Sequence, residues 1–78
     1  MKLQDLEREL KNLNINNEFY SLSGGFPNEA YCINKNEFEW EVYYSERGQK
    51  SDPKIFNDEN SACNYFFGLI ISDPLVRR

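Results

Sequence analysis

Between Asn28 and Gly48 the chain alternates carboxylates with large apolar residues at a period of two, the period of a β-strand. Phe38, Trp40, Val42 and Tyr44 share one face of such a strand, and Glu37, Glu39, Glu41 and Tyr43 share the other. The apolar face belongs against a core, with Trp40 as its anchor. Same-face glutamates about 7 Å apart repel one another, and burying them requires cationic partners. The acidic face therefore meets solvent or something basic.

The same reading extends along the chain. Leu3, Leu6, Leu10 and Leu13 recur at helical spacing opposite charged residues, which predicts an amphipathic helix. The asparagines from Asn12 to Asn17 end it. Phe19, Tyr20 and Leu22 suggest a short strand, stopped by Ser23-Gly24-Gly25 and Pro27. Glu29–Ile33 and Phe38–Tyr44 then form a hairpin through residues 34–37, pairing Ile33 with Phe38, Tyr31 with Trp40 and Glu29 with Val42. A turn follows at Ser45–Gln49, with Gly48 at positive φ after a type I turn. The next strand, Lys50–Phe56, contains Pro53, which points to an edge or a bulge. Asp58 caps a last helix whose apolar stripe is Ala62, Cys63, Phe66, Phe67 and Ile70, and Asp73-Pro74 stops it. The expected fold is α+β: an N-terminal helix, a four-stranded antiparallel meander and a C-terminal helix, with the helices packed on one sheet face.

Composition narrows the possibilities. The 78 residues make one domain, near the lower size limit for a core without a staple. Hydrophobic residues at 40% exclude a disordered chain, and aromatics at 15% suggest a core rich in rings. Residues 14–46 carry six acids against one base, a net of −5, so the negative charge belongs to the sheet; residues 47–78 come to +1. This argues against nucleic acid and anionic membrane as partners and favours a basic protein. Cys32 and Cys63 read as two reduced thiols of a cytoplasmic protein. No secretory signal is visible, and Tyr65–Ile71 is too short to span a bilayer.

Catalytic chemistry finds little support. The chain has no histidine, which removes the commonest general base and metal ligand, so no enzyme, metal site or cofactor is expected. Glu39 and Glu41 lack the pocket that would set their pKa values apart. Ser23-Gly24-Gly25 leads into Phe26-Pro27 and is a turn, not a phosphate loop. The candidates for contact with a partner are Glu37, Glu39, Glu41, Tyr43, Glu46 and Arg47. Tyr43 adds an amphipathic ring to the acidic face. Arg47 reads equally as a solvated turn charge or as a guanidinium that pins a carboxylate.

Three segments, Gly24–Ile33 (Gly-Gly-Phe-Pro-Asn-Glu-Ala-Tyr-Cys-Ile), Trp40–Gly48 (Trp-Glu-Val-Tyr-Tyr-Ser-Glu-Arg-Gly) and Phe56 through Ala62–Phe66, together resemble small immunity proteins of bacterial polymorphic toxin systems. The likeness runs from about Tyr20 to Ile71 and rests on Trp40, Tyr44, Glu46, Arg47 and Gly48. It implies a compact α+β protein that binds and blocks a cognate toxin made by the same cell. It supplies no catalytic residues. The rival expectation is a small interaction module or a subunit of another assembly, for instance a homo-oligomer such as a homodimer that pairs through an exposed strand edge.

Overall fold

Helix α1 (Leu3–Asn12) forms where the leucine stripe predicts it and buries Leu6 and Leu10 completely. Leu13 does not continue the stripe; it is 44% exposed. Asn14 adopts a left-handed φ of 57°, the Ile15 amide reaches back to the Leu10 carbonyl and the Asn14 amide to that of Lys11. This paired closure is a Schellman motif. It turns Ile15 into the core where Leu13 was expected.

The computed structural model describes residues 1–76, so Arg77 and Arg78, counted above in the charge of the last segment, lie outside the described residues. After α1 and a 3₁₀ turn at Asn17–Phe19 come β1 (Tyr20–Ser21), β2 (Ala30–Asn36), β3 (Glu39–Glu46), β4 (Gln49–Phe56) and α2 (Glu59–Ile71). The strands form one sheet in the order β1-β2-β3-β4. The fold is α+β, but the sheet is mixed: β1 runs parallel to β2, where an antiparallel meander was expected. The connection from residue 22 to residue 29 is a crossover and not a hairpin. Parallel neighbours ordinarily need a dozen or more linking residues. This shorter path is possible because β1 is only two residues long and because Gly24, Gly25 and Glu29 all take positive φ.

The hairpin of β2 and β3 forms in a different register. Ile33 faces Val42, Tyr31 faces Tyr44 and Lys35 faces Trp40. The turn contracts to Glu37-Phe38, with Glu37 at φ 47°, and Asn34, Lys35 and Asn36 join the ladder. Extending the strands adds backbone pairs that the longer loop would forgo. The shift is even, so each residue keeps its face; Phe38 alone leaves the sheet. At the β3–β4 turn Arg47 and Gly48 both have positive φ, 52° and 73°, the signature of a type I′ turn in place of the expected type I. Pro53 lies on an edge strand within a bulge: Val42 faces Lys54 and Tyr44 faces Ser51, which leaves Asp52 and Pro53 opposite Tyr43.

The core is more aliphatic than expected. Leu6, Leu10, Ile33, Val42, Ala62, Cys63, Phe66 and Ile70 are fully buried together, while Tyr20, Tyr31, Trp40, Phe56 and Phe67 line its margin. Trp40 is half-buried and therefore not the anchor. It sits one pair from the hairpin end, with the Lys35 ammonium 5.8 Å from its ring centroid. Helix α2, capped by the Asp58 carboxylate accepting from the Ser61 amide at 2.7 Å, lies against β2, β3 and β4. Helix α1 lies against α2, tied by the Leu3 amide donating to Glu59 at 2.7 Å and by the Met1 amino group donating to Asn60. Among the described residues no helix is long and apolar enough to cross a membrane.

Candidate protein-binding surface

The face of β3 that carries the glutamates is not an open acidic row. The crossover from Ser21 to Ala30 lies across its centre. The Tyr43 hydroxyl donates to the Gly25 carbonyl at 2.6 Å, the Ser45 hydroxyl to the Pro27 carbonyl at 2.8 Å and the Ser21 hydroxyl to the Gly24 carbonyl at 2.8 Å. Ala30, Cys32, Tyr43 and Ser45 are buried beneath it. Burial pushes the Tyr43 phenol up to about 12. Glu41 is only 7% exposed, and its carboxylate accepts from the Lys50 ammonium at 2.8 Å. That ammonium also stands 4.8 Å from the Tyr43 ring centroid. Glu41 and Tyr43, expected on a contact surface, are thus built into the molecule, the first compensated by Lys50 and the second by the loop carbonyl. The signal for this was present in Gly24, where a Cβ would meet Asn34 at 2.8 Å, and in Lys50, nine positions from its partner.

Glu37, Glu39, Glu46 and Arg47 are exposed, but they do not form one patch. Glu37 and Glu39 flank the β2–β3 turn, whereas Glu46 and Arg47 sit at the β3–β4 turn. The seven strand steps from Glu39 to Glu46 span about 23 Å. Between the first two glutamates stands Phe38, 88% exposed at the tip. Sequence reasoning placed Phe38 in the core because its parity matched Trp40; the left-handed Glu37 that releases it has no local signature, since glutamate seldom takes that conformation.

A concavity lies between α2 and the β3–β4 end of the sheet. A groove of about 420 Å³ is lined by Tyr31, Tyr44, Asp52, Tyr65, Leu69 and Asp73. The Tyr31 hydroxyl donates to Asp73 Oδ2 at 2.8 Å, and the Leu75 amide donates to Asp73 Oδ1 at 2.9 Å. The rings of Tyr31 and Tyr44 meet edge to face, with centroids 5.0 Å apart. Burial, and then the bond to Asp73, push the Tyr31 phenol up to about 12. No local motif announces this site, because its walls come from β2, β3, β4 and the end of α2.

Cys32 and Cys63 are both free and buried. They flank the sheet from opposite sides, Cys32 opposite Tyr43 and Cys63 within the helix-covered core. Burial raises both thiols, Cys63 to about 11, which disfavours the thiolate. Among the described residues no cluster of three or more potential ligands could hold a metal ion. Comparison of the chain with family models, with curated proteins and with solved structures finds no match.

Proposed function

We propose that this chain is an immunity-type protein that binds and neutralises a cognate bacterial toxin in the cytoplasm of the producing cell, contacting a basic surface with the β2–β3 hairpin tip. The observation that carries the reading is Phe38, 88% exposed between Glu37 and Glu39. A protruding ring with an acidic rim has the composition of an interface anchor: the ring supplies desolvated area and the carboxylates supply attraction and orientation. In this reading both helices serve the ring-bearing side of the sheet, α2 directly and α1 behind it, and leave the tip clear. Glu46 and Arg47 join the contact only with a partner that reaches both ends of β3. Glu41 and Tyr43 hold the strand from beneath.

The test begins with capture of the partner from the native organism, where a secreted multidomain toxin encoded next to this gene is expected. Affinity is then compared for wild type, Phe38→Ala and the double variant Glu37→Lys with Glu39→Lys. Each variant should melt within about 0.5 kcal/mol of wild type, because all three side chains are exposed. Each should also lose at least about 2 kcal/mol of binding. Unchanged affinity in the folded variants would remove the tip from the interface. Charge reversal at Glu41 is unsuitable, since it would set two ammonium groups against each other inside the fold. A second reading has one observation in its favour: β4 is an eight-residue edge strand, and among the described residues no strand pairs with its outer side. A homodimer through that edge would show twice the monomer mass in light scattering. The Asp52-Pro53 bulge and the exposed Lys50 and Lys54 oppose it, as such features do on protected edges.

A further inference from the structure

We propose that the groove between α2 and the β3–β4 hairpin is a binding site for the guanidinium group of an arginine presented on a peptide segment. The proposal stands apart from the hairpin tip, which lies at the other end of β3, and neither requires the other.

Four tyrosines, Tyr31, Tyr43, Tyr44 and Tyr65, and two aspartates, Asp52 and Asp73, line a groove of about 420 Å³, and among the described residues no cationic side chain lines it. That volume falls at the lower end of the range for ligand pockets. Ring faces carry negative potential and attract cations within about 6 Å. The groove is also preorganised. Asp73 is fixed by two donors, Tyr31 and Leu75, one on each oxygen. Each carboxylate oxygen offers more than one lone pair, so both retain capacity for an incoming N–H. Tyr31 and Tyr44 hold each other edge to face, and Tyr65 is steadied by the Phe56 ring 5.3 Å away while remaining 37% exposed. A ligand therefore meets walls already in place.

Electrostatics point the same way. The Tyr44 phenol is raised by burial and then by Glu29, Glu46 and Asp73, so three carboxylates from three separate stretches of the chain direct negative potential at one ring. Among the described residues, the ion pairs join Arg8 to Asp5, Lys11 to Glu7 and Lys50 to Glu41, and none draws on the groove. A planar guanidinium suits the site better than an ammonium, because it can stack on a phenol ring while its fork of N–H groups engages a carboxylate. The groove also continues: a smaller hollow of about 190 Å³ shares Tyr31, Tyr44 and Asp73 and adds Phe19, Glu29 and Leu75. Leu75 is 63% exposed there and offers an apolar wall to the residue next to the arginine.

The probe is the capped peptide acetyl-Gly-Arg-Gly-amide, titrated into isotope-labelled full-length protein and followed by NMR. The controls replace arginine by citrulline, its uncharged isostere, and by lysine. Saturable shifts confined to Tyr31, Tyr44, Tyr65, Leu69 and Asp73, with a millimolar constant, are expected for arginine, weaker ones for lysine and none for citrulline. Asp73→Asn, which keeps an oxygen for Tyr31, and Tyr65→Ala should each weaken arginine binding by at least about five-fold. Their dispersed spectra would show that the fold survives. Equal response to citrulline, lysine binding as tight as arginine, shifts centred on Glu37 and Glu39, or no saturation would each overturn the assignment.

Discussion

Gly24→Ala is the substitution most sensitive to how the crossover meets the sheet. Gly24 is buried, with φ at +74°, and a Cβ added there would lie 2.8 Å from Asn34 Cγ, 2.9 Å from its Oδ1 and 3.0 Å from its Cβ. Left-handed backbone costs a non-glycine residue about 1–2 kcal/mol. The overlap adds to this, because Asn34 Cβ is fixed to β2 and the Asn34 amide is engaged with Asn36 at 3.0 Å, so rotation cannot clear the clash for free. Overpacking of this kind costs about 1–3 kcal/mol. The sum, about 2–5 kcal/mol, is a large share of the stability of a small domain. Gly25 provides the control. Its φ is +82°, yet a Cβ there meets nothing within 4 Å, so Gly25→Ala should cost only the backbone part, about 1–2 kcal/mol. Urea unfolding of both variants, and of Gly24→Ala combined with Asn34→Ala, measures the difference. Removing Asn34 Cγ and Oδ1 should recover part of the loss, although the 3.0 Å contact with Cβ remains. Equal destabilisation by Gly24→Ala and Gly25→Ala would refute the packing of this loop on the glutamate face of β3.

Two further outcomes follow from the turns and the buried phenols. Arg47→Asn should stabilise the protein by up to about 1 kcal/mol, because Arg47 and Gly48 both lie in left-handed conformations and Asn-Gly is the preferred pair for a type I′ turn; an unchanged denaturation midpoint would mean that Arg47 has compensating contacts at that turn. Alkaline pH should unfold the chain. Tyr31, Tyr43 and Cys63 are raised to about 12, 12 and 11 from ordinary values of 10.0, 10.0 and 9.0, so their protonated forms favour the native state. Their stabilisation is complete below about pH 9 and disappears as pH climbs towards 12. Melting temperature should fall through that window, and less steeply in Tyr43→Phe; a flat profile would show that these groups titrate normally in the fold.

Local pattern was enough for several features. Leucine and phenylalanine spacing located both helices, the oxygen of Asp58 marked where α2 begins, and alternation assigned Tyr31, Ile33, Val42 and Tyr44 to one face. The missing amide of Pro53 announced the bulge, and the missing side chain of Gly48 announced its left-handed turn. These are properties of a residue and its immediate neighbours. Register was not legible, because pairing Ile33 with Phe38 or with Val42 satisfies the same parity, and the choice rests on which turn lets the longer ladder form. The parallel placement of β1 was hidden for a related reason: a glycine-rich stop looks alike whether the chain reverses or crosses over. Charge was the most misleading signal. Glu41 looked exposed because three like charges in a row cannot be buried alone, yet β4 brings Lys50 to it and the crossover loop engages the neighbouring Tyr43. The tyrosine and aspartate groove, drawn from three strands and a helix, has no period in the chain at all. Sequence determined which side of each element is apolar; only the folded chain determined what lies against that side, because the cost of burying a group depends on partners that are distant along the backbone.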